Sequence, residues 1–339
     1  MAILQPPNLP WKSLKLWIPT SIFYIFFIGL RHEVGSDWFN YEAMFNRDIP
    51  WMGYMDALHH DDPLFWLLMV FADDHGMDMH FVYLISSILF VTGMVVFLRR
   101  MPNPWLGLTM MMAYTILTLG MGYVRQGVAL GVSLLAITAL MDRRFMSFFL
   151  LVALATAFHK SAVVMLGFGI FQEGRHKYVK VLAALVLGAG IYMEFMSGQE
   201  ERLVSLYIDN PMQSSGAYIR VFMNVIAAGI FLYYRKIWRK LWPGSYMLWM
   251  LMALGSLAAF VGVWIYSTAV DRISLYFIPL QIVVFSSLPM LLEGILAPRI
   301  TTFLVICYYA AVYTVWLGFA TWAYMWKPYQ NILWNALFR

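Results

Sequence analysis

Residues 79–98 read MHFVYLISSILFVTGMVVFL, twenty residues without one Asp, Glu, Lys or Arg. A helix of this length covers about 30 Å, the thickness of a bilayer's hydrocarbon core. In water it would have no polar face to present, so the stretch is read as a membrane span. Comparable apolar runs lie to either side, near 16–30, 104–121, 126–140, 145–158, 161–171, 181–196, 217–234, 246–266, 273–292 and 300–323. Together they predict an all-α polytopic membrane protein of about eleven transmembrane helices. A span needs about twenty residues, and the runs at 145–158 and 161–171 have fewer, so tilted, broken or partly re-entrant helices are expected there.

Composition supports this reading. The chain is 62% hydrophobic and only 12% charged, where a soluble domain averages about 25% charged residues. Such a surface is tolerable only where lipid covers it. The sequence is read as a single integral membrane domain over 1–339, with no soluble domain, internal repeat or low-complexity tract. Its longest polar stretch is 31–78. The first run lacks a small-residue cleavage site before Arg31-His32-Glu33 and is kept as a span. The one cysteine, Cys307, cannot form an internal disulfide.

Charge sets the expected orientation, because cytoplasmic segments are enriched in Lys and Arg. With the N-terminus inside, the cytoplasmic segments carry Lys12, Lys15, Arg99, Arg100, Arg143, Arg144, Arg175, Lys177, Lys180, Arg235, Lys236, Arg239, Lys240 and Arg299. These are 14 of the 23 basic residues, and only Asp142, Glu173 and Glu293 of the 18 acids accompany them. The net charge is then +11 inside and −6 outside, and 31–78 becomes an outer segment. The basic pI of about 9.1 follows from this bias and is no sign of nucleic-acid binding.

Six basic sites run against the trend and fall at the outer face: Arg31, Arg125, His159-Lys160, Arg220, Asp271-Arg272 and Lys327. An arginine at the centre of a transmembrane helix costs about 2.5–3.5 kcal/mol on insertion scales, and such groups usually face a cavity. Individually, Arg31 and Lys327 could be snorkelling anchors, Asp271-Arg272 a local ion pair and His159 a hydrogen-bonded bundle histidine. As a set, with few acids nearby in sequence, they suggest a pocket for a polyanion. In a membrane that is a lipid-linked phosphate or pyrophosphate, which the planar guanidinium grips at two points. The outer segment adds Asp37, Trp38 and Tyr41, a mixture suited to sugars. Asp61-Asp62-Pro63 opens a helix over about 63–72, too short to span and expected in the outer interface.

Other chemistries find little footing. Adjacent residues such as His59-His60-Asp61-Asp62 rarely converge on one ion. No HExxH helix or phosphate-binding loop is present. Gly131-Val132-Ser133 falls in mid-span, without the strand-to-helix turn that a serine nucleophile needs.

These residues resemble the EpsG-like group of Wzy-type polysaccharide polymerases. The resemblance lies in Arg31-x3-Gly35-x-Asp37-x3-Tyr41, then Asp62-Pro63-x-Phe65, then Tyr123-x-Arg125-Gln126-Gly127-x-Ala129. Ala157-Phe158-His159-Lys160-Ser161-Ala162 and Asp271-Arg272-x3-Tyr276 follow in order, and Lys327-Pro328-Tyr329 ends the set. Asp62 departs from the pattern, which leads one to expect Glu. The resemblance implies a glycosyltransferase of the bacterial inner membrane, its active site facing the periplasm or outside. It would move a growing chain from undecaprenyl pyrophosphate to a sugar hydroxyl of another lipid-linked repeat. Arg125, Arg31, Arg272 and Lys160 would meet the pyrophosphate's charge, with no metal or other cofactor needed. The hydroxyl needs a base, and the candidates are Asp37 and His159. Trp38, Tyr41, Asp62, Arg220, Asp271 and Lys327 would bind sugar or hold the site. The expected partners are undecaprenyl-pyrophosphate-linked glycans and membrane lipids, with a chain-length regulator and a flippase as functional neighbours, and no nucleic acid.

Three alternatives differ in their sequence demands. An O-antigen ligase usually has a large outer loop late in the chain, whereas the longest outer segment here is early. A transporter or flippase of lipid-linked sugars should show internal repeats and polar groups through the bundle's depth. An O-acyltransferase would draw its donor from the cytoplasm, yet His159 falls outside.

Overall fold

A computed structural model describes residues 14–170, 182, 186, 214 and 216–337. Among the described residues the regular structure is helical, with turns and loops between helices and one isolated bridge between Arg31 and Asn331. Helices appear where the apolar runs predict them: α1 (Leu14–Gly29), α4 (Met79–Leu98), α5 (Pro104–Gly122), α6 (Val124–Met141), α7 (Phe145–Phe158), α9 (Ala217–Tyr233), α10 (Tyr246–Gly262), α11 (Ser267–Leu291) and α12 (Pro298–Phe319). Between α1 and α4 the polar segment 31–78 contains α2 (Trp38–Arg47) and α3 (Pro63–Asp74), the latter being the short helix expected from Pro63. The run at 161–171 is α8 (Lys160–Gly169), wound as a 3-10 helix over Lys160–Met165. It breaks off from α7 at His159, as its length suggests.

Among the described residues the count of about eleven spans is not confirmed. Among the described residues five helices are long and apolar enough to cross a bilayer, or six if Ala217–Tyr233 and Arg235–Leu241, bent by 81°, count as one. α1, α7, α8 and α10 are apolar but shorter than eighteen residues. The run near 181–196, apart from 182 and 186, and the stretch 197–216, apart from 214 and 216, lie outside the described residues. A count of about eleven therefore finds no support, because apolar character without length does not make a span.

The chain divides into two compact units: Met1–Val132 with Ala157–His159 and Ser286–Arg339, and Ser133–Thr156 with Lys160–Phe285. In the first unit the decisive helix is α4. Asp78 caps it by accepting the His80 backbone N–H at 3.1 Å. α1 packs along it, and Ser87 Oγ donates across to Ile25 O at 3.0 Å. On another face, Gly93 meets Gly131 of α6 so closely that a Cβ on Gly93 would sit 1.8 Å from the Gly131 carbonyl oxygen. With lipid tails as apolar as leucine, helices in a bilayer gain from such backbone contact.

The C-terminal residues return to the first unit. His32 N donates to Gln330 O at 3.0 Å, Ile332 N to Leu30 O at 3.0 Å, and Gly35 N to Met325 O at 3.1 Å. Trp326 Nε1 donates to Leu117 O at 3.0 Å. Gly35 has φ +113, and a Cβ there would lie 2.5 Å from Met121 O, so only glycine fits this turn. In the second unit α9 packs on α10 and α11, tied by Asn224 Nδ2 to Ser274 O (2.9 Å) and Gln281 Nε2 to Asn224 Oδ1 (2.6 Å).

Candidate functional site

Three stretches far apart in sequence meet at Asp62. This residue stands at the N-cap of α3, yet its side chain makes no capping bond, and Pro63 at the next position has no N–H to offer. The carboxylate, 2% exposed, turns inward. Oδ2 accepts from Arg125 Nη1 at 2.8 Å, and Oδ1 lies 3.2 Å from His159 Nδ1. His159 Nε2 lies 3.0 Å from the Gln126 side-chain amide nitrogen. Arg125 and Gln126 are adjacent in the first turn of α6, and His159 occupies the break after α7. An ionised Asp62 requires the proton on His159 Nδ1. Nε2 of the neutral ring then accepts from Gln126, so both ring nitrogens are engaged.

A second arginine lies deeper. Arg31 follows the end of α1 and is 1% exposed. Its Nη1 donates to Ile28 O at 2.6 Å and its Nε to Val34 O at 3.1 Å, while Nη2 is buried without a hydrogen-bond partner among the described residues. The guanidinium lies 4.4 Å from the centre of the Tyr83 ring and 5.6 Å from that of Trp38. Burial lowers the pKa of the Arg31 guanidinium, and Tyr83, Tyr329, Tyr41 and Glu42 oppose the shift. A snorkelling anchor would reach water, and this residue does not.

Arg31 is held from the C-terminal side. A helix end leaves carbonyls without partners. Here Phe26 O accepts from Asn331 Nδ2 (3.1 Å), Phe27 O from the Tyr329 hydroxyl (2.5 Å) and Ile28 O from Arg31 itself. Burial pushes the Tyr329 phenol up to about 12.

Aromatic rings connect the two arginines. The Trp38 and Tyr83 rings are 4.6 Å apart, Tyr83 and Tyr41 6.4 Å, and Tyr41 lies 5.9 Å from the Arg125 guanidinium. Asp37 starts α2 beside this wall, and its charge acts on Tyr41, Tyr83 and Arg125. The helical spacing of α2 turns Trp38, Tyr41 and Phe45 inward. It also brings Glu42 to the turn above Trp38, a position the sequence reading overlooked. Gln126 and Tyr83 were likewise missed: one is an amide inside a motif, the other a single tyrosine in an apolar run.

The remaining candidates belong to the second unit or to the surface. Arg220 forms a two-point pair with Asp271, Nε to Oδ1 at 2.6 Å and Nη2 to Oδ2. Ser214 Oγ donates to the same carboxylate at 2.8 Å. The two-point partner of Asp271 is thus Arg220, 51 residues away in sequence. Arg125 and Arg220, which have no acid close in sequence, each have one in space. Lys160 and Arg272 sit in the second unit with Arg220 and Asp271. Lys327 is exposed and donates to Leu317 O at 3.0 Å near the end of α12, which suits an anchor.

Among the described residues, no group of three or more His, Cys, Asp or Glu is arranged to hold a metal ion. Within the run at 59–62, His59 bonds to Met55 O, His60 stacks on Trp66 at 3.8 Å and Asp62 faces Arg125.

Comparison with curated proteins and with solved structures returned no match. The EpsG family model matches residues 15–331, nearly the whole of the chain, and takes in Arg31, Asp62, Arg125 and His159. The chain belongs to the EpsG family, the EpsG-like polysaccharide polymerases.

Proposed function

We propose that this protein is a glycosyltransferase that polymerises undecaprenyl-pyrophosphate-linked oligosaccharides at the outer face of the cytoplasmic membrane. One observation carries the proposal: Arg31 and Arg125 stand at the two ends of one wall of rings, Trp38, Tyr83 and Tyr41, and Arg31 keeps a buried N–H without a partner. Fixed cations held by a wall of rings suit a reaction whose leaving group is a pyrophosphate bound to sugar. Negative charge develops on the bridging oxygen as the glycosidic bond breaks, and preorganised guanidinium groups stabilise it without a metal. Of the two bases suggested by the sequence, His159 has both ring nitrogens engaged. A chain-length regulator and a flippase are the neighbours such an enzyme would need.

Purified protein given its lipid-linked repeat unit is expected to build a polymer ladder in excess EDTA. Activity that requires magnesium or manganese would instead turn attention to Asp37, Asp61 and Asp62 as metal ligands. The orientation has its own measurement. Asn46 is an exposed residue of the outer segment, and Cys307, also exposed, must first be replaced. Asn46→Cys in a Cys307→Ser background is expected to react with an impermeant maleimide on intact cells. Reaction only after permeabilisation reverses the topology.

A further inference from the structure

Glu42 lies on α2 one helical turn after Trp38, so the two share a face. Its Oε1 is buried and has no hydrogen-bond partner among the described residues. Of the other side-chain atoms in the same condition, two are coupled to it: Nη2 of Arg31 and the hydroxyl of Tyr83. The three belong to one neighbourhood. Arg31 rests on Tyr83 and Trp38, and the charge of Glu42 acts on both Arg31 and Tyr83. Buried polar atoms are nearly always paired, so three unpaired in one place need an explanation. An acceptor and two donors, walled by a tryptophan, match a hydroxyl group on a sugar ring.

We infer that Glu42 receives the acceptor sugar's hydroxyl and takes its proton. This rests on the glycosyltransferase reading and replaces Asp37 as the base. The hydroxyl oxygen forms a bond to the anomeric carbon of the donor, and its proton passes to the Glu42 carboxylate. The bond from that carbon to the pyrophosphate oxygen breaks, and its electron pair leaves with the lipid pyrophosphate toward Arg31 and Arg125. Glu42 then loses the proton to solvent.

The surroundings suit this task. Burial raises the Glu42 carboxyl above its ordinary range, Asp78 at the start of α4 adds to the rise, and Arg31 opposes it. Tyr83 faces it from α4, and Asp37 and Tyr41 share its segment. A carboxylate of raised pKa is a stronger base near neutrality. A protonated carboxyl cannot accept the proton, so turnover falls as pH drops through this raised value.

The experiment compares wild type, Glu42→Gln, Glu42→Asp and Asp37→Asn in two assays: binding of undecaprenyl pyrophosphate, and the pH profile of polymerisation of purified lipid-linked repeat. Glu42→Gln is expected to bind the probe as wild type does, to polymerise about 10²–10⁴-fold more slowly, and to lose the acid limb of the profile. Glu42→Asp keeps the limb with part of the rate, and Asp37→Asn, at a reduced rate, keeps it too; loss of the limb by Asp37→Asn instead of Glu42→Gln overturns the inference. A Glu42→Gln enzyme with normal turnover, or one that has lost probe binding, overturns the inference and leaves the polymerase reading standing. If wild-type protein neither binds the probe nor polymerises the repeat, the polymerase reading itself fails.

Discussion

Arg125→Lys is expected to leave a stable protein that makes almost no polymer. The lysine ammonium still meets the Asp62 carboxylate, whose Oδ2 accepts from Arg125 at 2.8 Å. It cannot do so and also grip a phosphate, because it is a point charge without the fork of the guanidinium. Arg125 is 31% exposed on its side chain and so has N–H groups to offer a ligand while Nη1 stays on Asp62. Loss of one preorganised donor to a developing oxyanion typically lowers turnover about 10²–10³-fold. Arg125→Ala differs in kind. It strands a carboxylate that is 2% exposed, and breaking a buried pair this way costs about 3–5 kcal/mol. The alanine variant is therefore expected to lose both stability and activity, and Arg125→Ala with Asp62→Asn to recover stability alone. Polymer synthesis and thermal unfolding in detergent, measured across the three variants, separate the two effects. Normal turnover by Arg125→Lys removes the residue from pyrophosphate binding.

The membrane character of the chain is written in its local composition, because lipid demands apolar residues in unbroken runs and the runs can be read one at a time. Span number is less legible. α1 and α7 are as apolar as α4 but shorter, and apolar residues cover buried protein surface as readily as lipid-facing surface. The site was visible as residue types and hidden as contacts. Asp62, Arg125 and His159 lie in three separate motifs, and the ion pair and hydrogen bond joining them cross 63 and 97 residues. Nothing local in the sequence could pair them. Asp271, beside Arg272 in sequence, likewise takes its two-point partner from Arg220 on α9. The burial of Arg31 depends on Tyr329 and Asn331, three hundred residues further on, which fasten the end of α1 from the far terminus. Glu42 could have been found by helical spacing alone, from Trp38, Tyr41 and Phe45 on the same helix.

Asp62→Asn is expected to disable turnover while leaving donor binding intact or stronger. The wild-type carboxylate accepts on both oxygens, from Arg125 on one side and His159 on the other. An asparagine has a single accepting oxygen. Arg125 can only donate, so the amide oxygen must face it, and the amide nitrogen then faces His159 Nδ1. That nitrogen must become an acceptor, the ring proton moves to Nε2, and Gln126 must turn its oxygen toward it. Arg125 meanwhile exchanges a charged partner for a neutral one, and a hydrogen bond to a charged group contributes about 1.5–3 kcal/mol. The guanidinium loses its fixed position but gains freedom to meet a pyrophosphate for which Asp62 no longer competes. The expected signature is a split, with lower kcat, an unchanged or lower KM for the lipid-linked donor, and a reduced unfolding midpoint. Nitrogen-15 spectra of histidine-labelled protein should show His159 changing from the Nδ1–H to the Nε2–H form. Wild-type kcat together with an unchanged His159 tautomer would mean that Asp62 does not organise the site. Asp62→Ala is expected to be worse in stability than Asp62→Asn, because it also withdraws the acceptor that keeps Arg125 paired.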